Sequence, residues 1–148
     1  MTKQPEHTDL VLDISSRTEL LGEARVFVTE AARAFGFSAD DVANIELAVD
    51  EACTNIIKHA YHNDPAGRIR LSISSTAAEG QPRRFIITIF DNGIAFDSSA
   101  YRMPDLSHYL QKPRRGGLGI VLMRKLMDEV DYDNSPGASN AIRLVKYL

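Results

Sequence analysis

The chain has 148 residues, a length that suits one domain with a buried core, and its 44% hydrophobic and 25% charged content excludes a disordered or fibrous polypeptide. A formal net charge of -3 provides no field that would gather polyanions, so direct nucleic-acid binding is disfavoured. The lone Cys53 has no partner for an internal disulfide, Met1 to Leu10 is polar, and no apolar run approaches the roughly 20 residues of a membrane span, which together predict a cytoplasmic protein without membrane contact.

Leu10, Leu12 and Ile14 alternate with Val11, Asp13 and Ser15, the period of a first strand. Thr18 to Phe35 reads as a helix, with Leu20, Leu21, Ala24, Phe27, Val28 and Ala31 at spacings of three and four and Gly36 as its stop. Arg25 lies with Glu23, Glu30 and Arg33 on the opposite, exposed side. Ser38 and Asp41 form a capping box with aspartate in place of glutamate, opening a helix whose stripe runs through Val42, Ile45, Val49, Ala52, Ile56 and Ala60 and ends near Tyr61. A turn over Asn63 to Gly67 leads into two strands, Ile69 to Ser74 and Arg84 to Phe90, joined by a hairpin connection at Glu79 to Pro82.

From Asp97 to Gly117 no period holds and Pro104, Pro113 and Gly116 interrupt the chain, as in a functional lid. A helix over Leu118 to Val130 and a closing strand over Ile142 to Tyr147 complete the order. These elements predict an α/β two-layer sandwich: a mixed, mostly antiparallel sheet covered on one face by about three helices, in a single domain spanning 1–148.

Glu51 and Asn55 are four apart, so on a helix they lie about 40° from each other and one turn along, at the margin of the buried stripe. A carboxamide oxygen suits a magnesium ion that takes the rest of its shell from water and phosphates, and a carboxylate one turn away can accept a proton during attack on phosphorus. The pair alone is also what a solvated polar helix edge contains. Downstream, Asp91-Asn92-Gly93 ends a strand with an acceptor fitted to the exocyclic amine of adenine, beside a residue without a Cβ. Gly116, Gly117 and Gly119 open a helix, where free amides and the dipole favour phosphate, although a glycine cluster is equally a plain turn. Lys112, Arg114 and Arg115 precede them and can bring positive charge to phosphates, or form an ordinary solvated basic loop.

Taken in this order, Glu46 to Tyr61 resembles the N box of the GHKL ATPase superfamily, Asp91 to Gly93 its first glycine box and Gly116 to Met123 its second. The closest likeness is to bacterial anti-sigma factor serine-protein kinases, through the Glu51-Ala-Cys-Thr-Asn55, His59-Ala-Tyr61 and Leu126-Met-Asp-Glu-Val130 wordings. The resemblance implies a Bergerat ATP-binding fold that takes ATP and Mg2+. Glu51 would be the general base and Asn55 the metal ligand; Asp91 would contact adenine, and Gly93, Gly117 and Gly119 would cradle the nucleotide with Arg115. Arg25 matches a partner-contact position. The implied reaction phosphorylates a serine of an anti-anti-sigma (STAS-type) protein, in a homodimer that also sequesters a sigma factor or other target. Ala95 replaces the second glycine often found in the first box, as in the stress-type branch. The alternative is a nucleotide-gated binding module without significant kinase activity.

P-loop, eukaryotic-type kinase and Rossmann signatures are absent, and the four histidines lack zinc-site spacing.

Overall fold

The computed structural model describes residues 7–94, 117–133 and 139–148. Strand β1 (His7–Ser15) leads through a 3-10 turn at Thr18–Leu20 into α1 (Leu21–Phe35) and α2 (Ala39–Asn55), then β2 (Arg68–Thr76), β3 (Arg84–Asp91), α3 (Gly117–Leu126), β4 (Glu129–Asp133) and β5 (Asn140–Tyr147). The five strands form one sheet in the order β1-β2-β3-β5-β4. Among the described residues every pairing is antiparallel.

Alternation decides which face of the sheet meets the helices. Ile69, Leu71 and Ile73 of β2 are buried and stand opposite Asp91, Ile89 and Ile87 of β3; Ile142 and Leu144 of β5 continue the same rows. Against them pack Ala24, Val28 and Ala32 of α1, Val42, Ile45, Val49 and Ala52 of α2, and Ile120 and Met123 of α3, giving one continuous core. Asp91 thereby falls on the helix-facing side of β3, at the end of a buried apolar row.

The Ser38 hydroxyl accepts from the Asp41 amide at 3.2 Å, as its N-cap position requires, and Gly36 ends α1 with φ 116. The end of α2 is less regular. Ile56–Ala60 forms a π turn in which the Tyr61 amide donates to the Ile56 carbonyl at 3.0 Å, followed by His62 and Asn63 at positive φ.

Several boundaries differ from the sequence expectation, most of all at the third helix. The third helix ends at Leu126 and not at Val130, and Glu129–Asp133 forms a strand that the helical spacing of Met123, Met127 and Val130 concealed. The ends of β5 and α3 cause this. The Lys146 ammonium donates to the Leu126 carbonyl at 2.7 Å, and the Asp128 amide donates to the Val145 carbonyl at 2.8 Å, so long-range partners replace the next helical turn. The closing strand also begins two residues early, at Asn140.

Candidate functional site

Glu51 and Asn55 stand half-buried on the last turns of α2, beside the start of α3. Their convergence is measured by Gly119: a Cβ there would lie 2.8 Å from Glu51 Oε2 and 3.2 Å from Asn55 Nδ2. The missing side chain is what lets the helix opening at Gly117 come this close to both polar groups. A carboxylate and a carboxamide oxygen beside a helix N-terminus are hard donors next to an anion-favouring dipole, a set that fits a magnesium-bound polyphosphate.

The second part of the site is the end of β3. Asp91 is 7% exposed, and its Oδ1 accepts from the Gly93 amide at 2.9 Å and from Asn140 Nδ2 at 3.0 Å. Gly93 has a neighbour that sequence reasoning did not foresee: a Cβ there would fall 2.5 Å from the Ala60 carbonyl oxygen. Ile94 donates its amide to that same carbonyl at 2.9 Å, so the end of β3 is locked onto the π turn of α2. Tyr61 ties the same segments from the other side. Its hydroxyl donates to the Arg68 carbonyl at 2.6 Å and accepts from the Asn92 amide at 2.8 Å. Its ring lies where a Gly67 Cβ would be, 2.6 Å from the nearest ring carbon.

The structure thus gathers Glu51, Asn55 and Gly119 in one cluster and Asp91 and Gly93 in another, joined through the end of α2. Arg115, Lys112, Arg114, Ala95 and the expected lid over 97–117, apart from Gly117, lie outside the described residues. Arg25 is less free than its place on the outer side of α1 implied: its guanidinium pairs with Asp50 at 2.6 Å, next in sequence to Glu51. Cys53 is fully buried on α2, and burial pushes its thiol up to about 12, with the Asp50 charge adding to the effect. It is a core residue and not a nucleophile. Sequence reasoning missed Tyr61, Ser139 and Asn140. Tyr61 stood within the motif without a role, while nothing local marks Ser139 and Asn140, whose partners lie 47 to 49 residues away.

A family model for the histidine kinase-like ATPase domain matches residues 14–146, and the chain belongs to that family. Within it, the chain is similar to the serine-protein kinase RsbW of Halalkalibacterium halodurans, 33% identical over 149 residues covering 98% of this chain and 85% of that one. The serine-protein kinase RsbW of Bacillus subtilis is 32% identical over 142 residues, covering 93% of this chain and 84% of the relative. A crystal structure of the RsbU and RsbW domains of a Mycobacterium tuberculosis protein matches 96% of this chain with TM-score 0.59 and 17% identity, and this chain spans 31% of that longer one. That likeness supports the fold.

Proposed function

We propose that the chain is an ATP-dependent serine-protein kinase and partner-switching anti-sigma factor. The observation that supports this reading is the approach of Gly119 to Glu51 and Asn55, which brings a carboxylate and a carboxamide against the N-terminal end of α3. The similarity to serine-protein kinases over nearly the whole chain agrees with it.

In the transfer step, the serine oxygen of the partner forms a bond to the γ-phosphorus, the bond from that phosphorus to the β,γ-bridging oxygen breaks, and ADP leaves with the electron pair. Glu51 takes the serine proton. Phosphoryl transfer needs positioning and charge neutralisation above all, which a small rigid site can supply. Asn55 would hold Mg2+, which when bound would neutralise phosphate charge. Asp91 accepts from the adenine amine, and Gly93, Gly117, Gly119 and Arg115 complete the nucleotide contacts. The substrate is an anti-anti-sigma protein of STAS type, and a sigma factor or other target is the alternative occupant of a homodimer's partner surface, which includes Arg25.

Incubating the pure chain and its co-purifying partner with γ-labelled ATP tests this: phosphoserine should appear on the partner, and Glu51→Gln should abolish transfer while nucleotide stays bound. Equal transfer by the variant would sink the base assignment. Nucleotide-dependent partner binding without any phosphoserine would favour a gated binding module.

A further inference from the structure

Asn140 opens β5 directly opposite Asp91. Directly opposed residues of an antiparallel pair point to one face, so its carboxamide is delivered to the same side of the sheet as the carboxylate. Both N–H groups of its Nδ2 are spent there: one donates to Asp91 Oδ1 at 3.0 Å and the other to the Gly93 carbonyl at 2.9 Å. With the Gly93 amide, Oδ1 thus has two donors, whereas among the described residues none donates to Oδ2. The preceding residue adds to the grip, since the Ser139 hydroxyl donates to Asn92 Oδ1 at 2.9 Å.

A carboxylate with both oxygens free turns about its terminal torsion at little cost, because that torsion is broad. Anchoring one oxygen by two donors removes this freedom and leaves the other as an acceptor of fixed direction. We propose that Asn140 is a positioning residue that sets base specificity, holding Asp91 so that Oδ2 faces the 6-amino group of a purine. This rests on the reading of Asp91 as the adenine contact. Inosine nucleotides carry a carbonyl at position 6. Opposite a fixed carboxylate that carbonyl meets another acceptor, and a site built around one hydrogen bond rejects an analogue that cannot make it.

The test is equilibrium binding of ATP and ITP to the full chain and to Asn140→Ala and Asn140→Asp. The wild-type chain should prefer ATP by about 100-fold or more, as expected where a buried polar group would be left unpaired. In Asn140→Ala the preference should shrink about ten-fold, through weaker ATP binding with ITP little changed, the size expected for one hydrogen bond to a charged group. Asn140→Asp keeps the side-chain volume but replaces the donor by an acceptor, so it should lose at least as much, and it supplies the measurement if the alanine variant unfolds. A purely structural role would weaken both nucleotides alike and leave their ratio intact. A discriminating wild type whose ratio survives both substitutions overturns the role of Asn140 alone. A wild type that binds ATP and ITP equally overturns the adenine reading of Asp91, and this inference with it.

Discussion

Replacing Gly119 by alanine sets a methyl group 2.8 Å from Glu51 Oε2 and 3.2 Å from Asn55 Nδ2. Ordinary contact begins near 3.4 Å, so the carboxylate must retreat by about 0.6 Å and the carboxamide by about 0.2 Å. Both groups sit at the ends of flexible side chains, and Gly119 is not among the glycines at positive φ, so the fold absorbs the methyl cheaply. Gly→Ala at a compatible helical position contributes roughly 0.4–1 kcal/mol of stability through the unfolded chain, which offsets the local displacement. Thermal unfolding should therefore move by no more than about 4 °C for a domain of this size. Catalysis has no such tolerance, since a misplacement of about 1 Å costs on the order of 100-fold. A single-turnover assay of phosphoserine formation should show Gly119→Ala slower by about 10- to 100-fold while the variant remains folded. Wild-type transfer by a folded variant, or loss of the fold itself, would refute the placement of Glu51 beside this glycine.

Tyr61→Phe keeps the ring packed on Gly67 but removes the bonds to Arg68 and Asn92, so unfolding should cost about 1 kcal/mol less and nucleotide affinity should fall a few-fold; calorimetry and a fluorescent-nucleotide titration read the two effects. Cys53, pushed up to about 12 from 9.0, stays a thiol in the folded chain while the unfolded chain ionises, so the unfolded state binds fewer protons above pH 9. Stability should accordingly fall as pH rises between about 9 and 12, Cys53→Ala should flatten that slope in denaturant titrations, and a thiol reagent should label Cys53 only on unfolding. Arg25→Ala breaks a partly exposed ion pair with Asp50 and should change stability by at most about 1 kcal/mol, yet weaken partner binding about ten-fold in a pull-down titration. Equal loss of stability and binding would assign Arg25 to the fold alone.

The parts of the fold that repeat locally were legible in the sequence. The stripe from Val42 to Ile56 and the alternation at Ile69 to Ile73 place α2 and β2 because burial on one face imposes those periods. Helical spacing likewise put Glu51 and Asn55 on one face, but the pair alone could not be told from a solvated polar edge, and its role was read from the motifs that follow it. What escaped depends on distant residues. Val130 continues the spacing of Met123 and Met127 and is buried as a helix residue would be, yet Lys146 and Val145 claim the backbone groups on which another turn depends. The pairing of Arg25 with Asp50 and the hold of Asn140 on Asp91 likewise join residues 25 and 49 apart, with no local signature.

The π turn at Ile56–Ala60 has a consequence for how the gene can vary. A π turn is an α-helical turn carrying one extra residue, and here that residue aims the Ala60 carbonyl at Ile94 and the Tyr61 hydroxyl at Asn92. Removing any one codon between 56 and 60 would close the wide turn to an ordinary α turn and draw the Ala60 carbonyl and the Tyr61 hydroxyl away from Ile94 and Asn92. Lys58 and His59, which are exposed, carry no such constraint on their identity. Over this stretch the turn fixes the number of residues, burial in the core holds Ile56 and Ile57, and only the exposed positions are open to exchange.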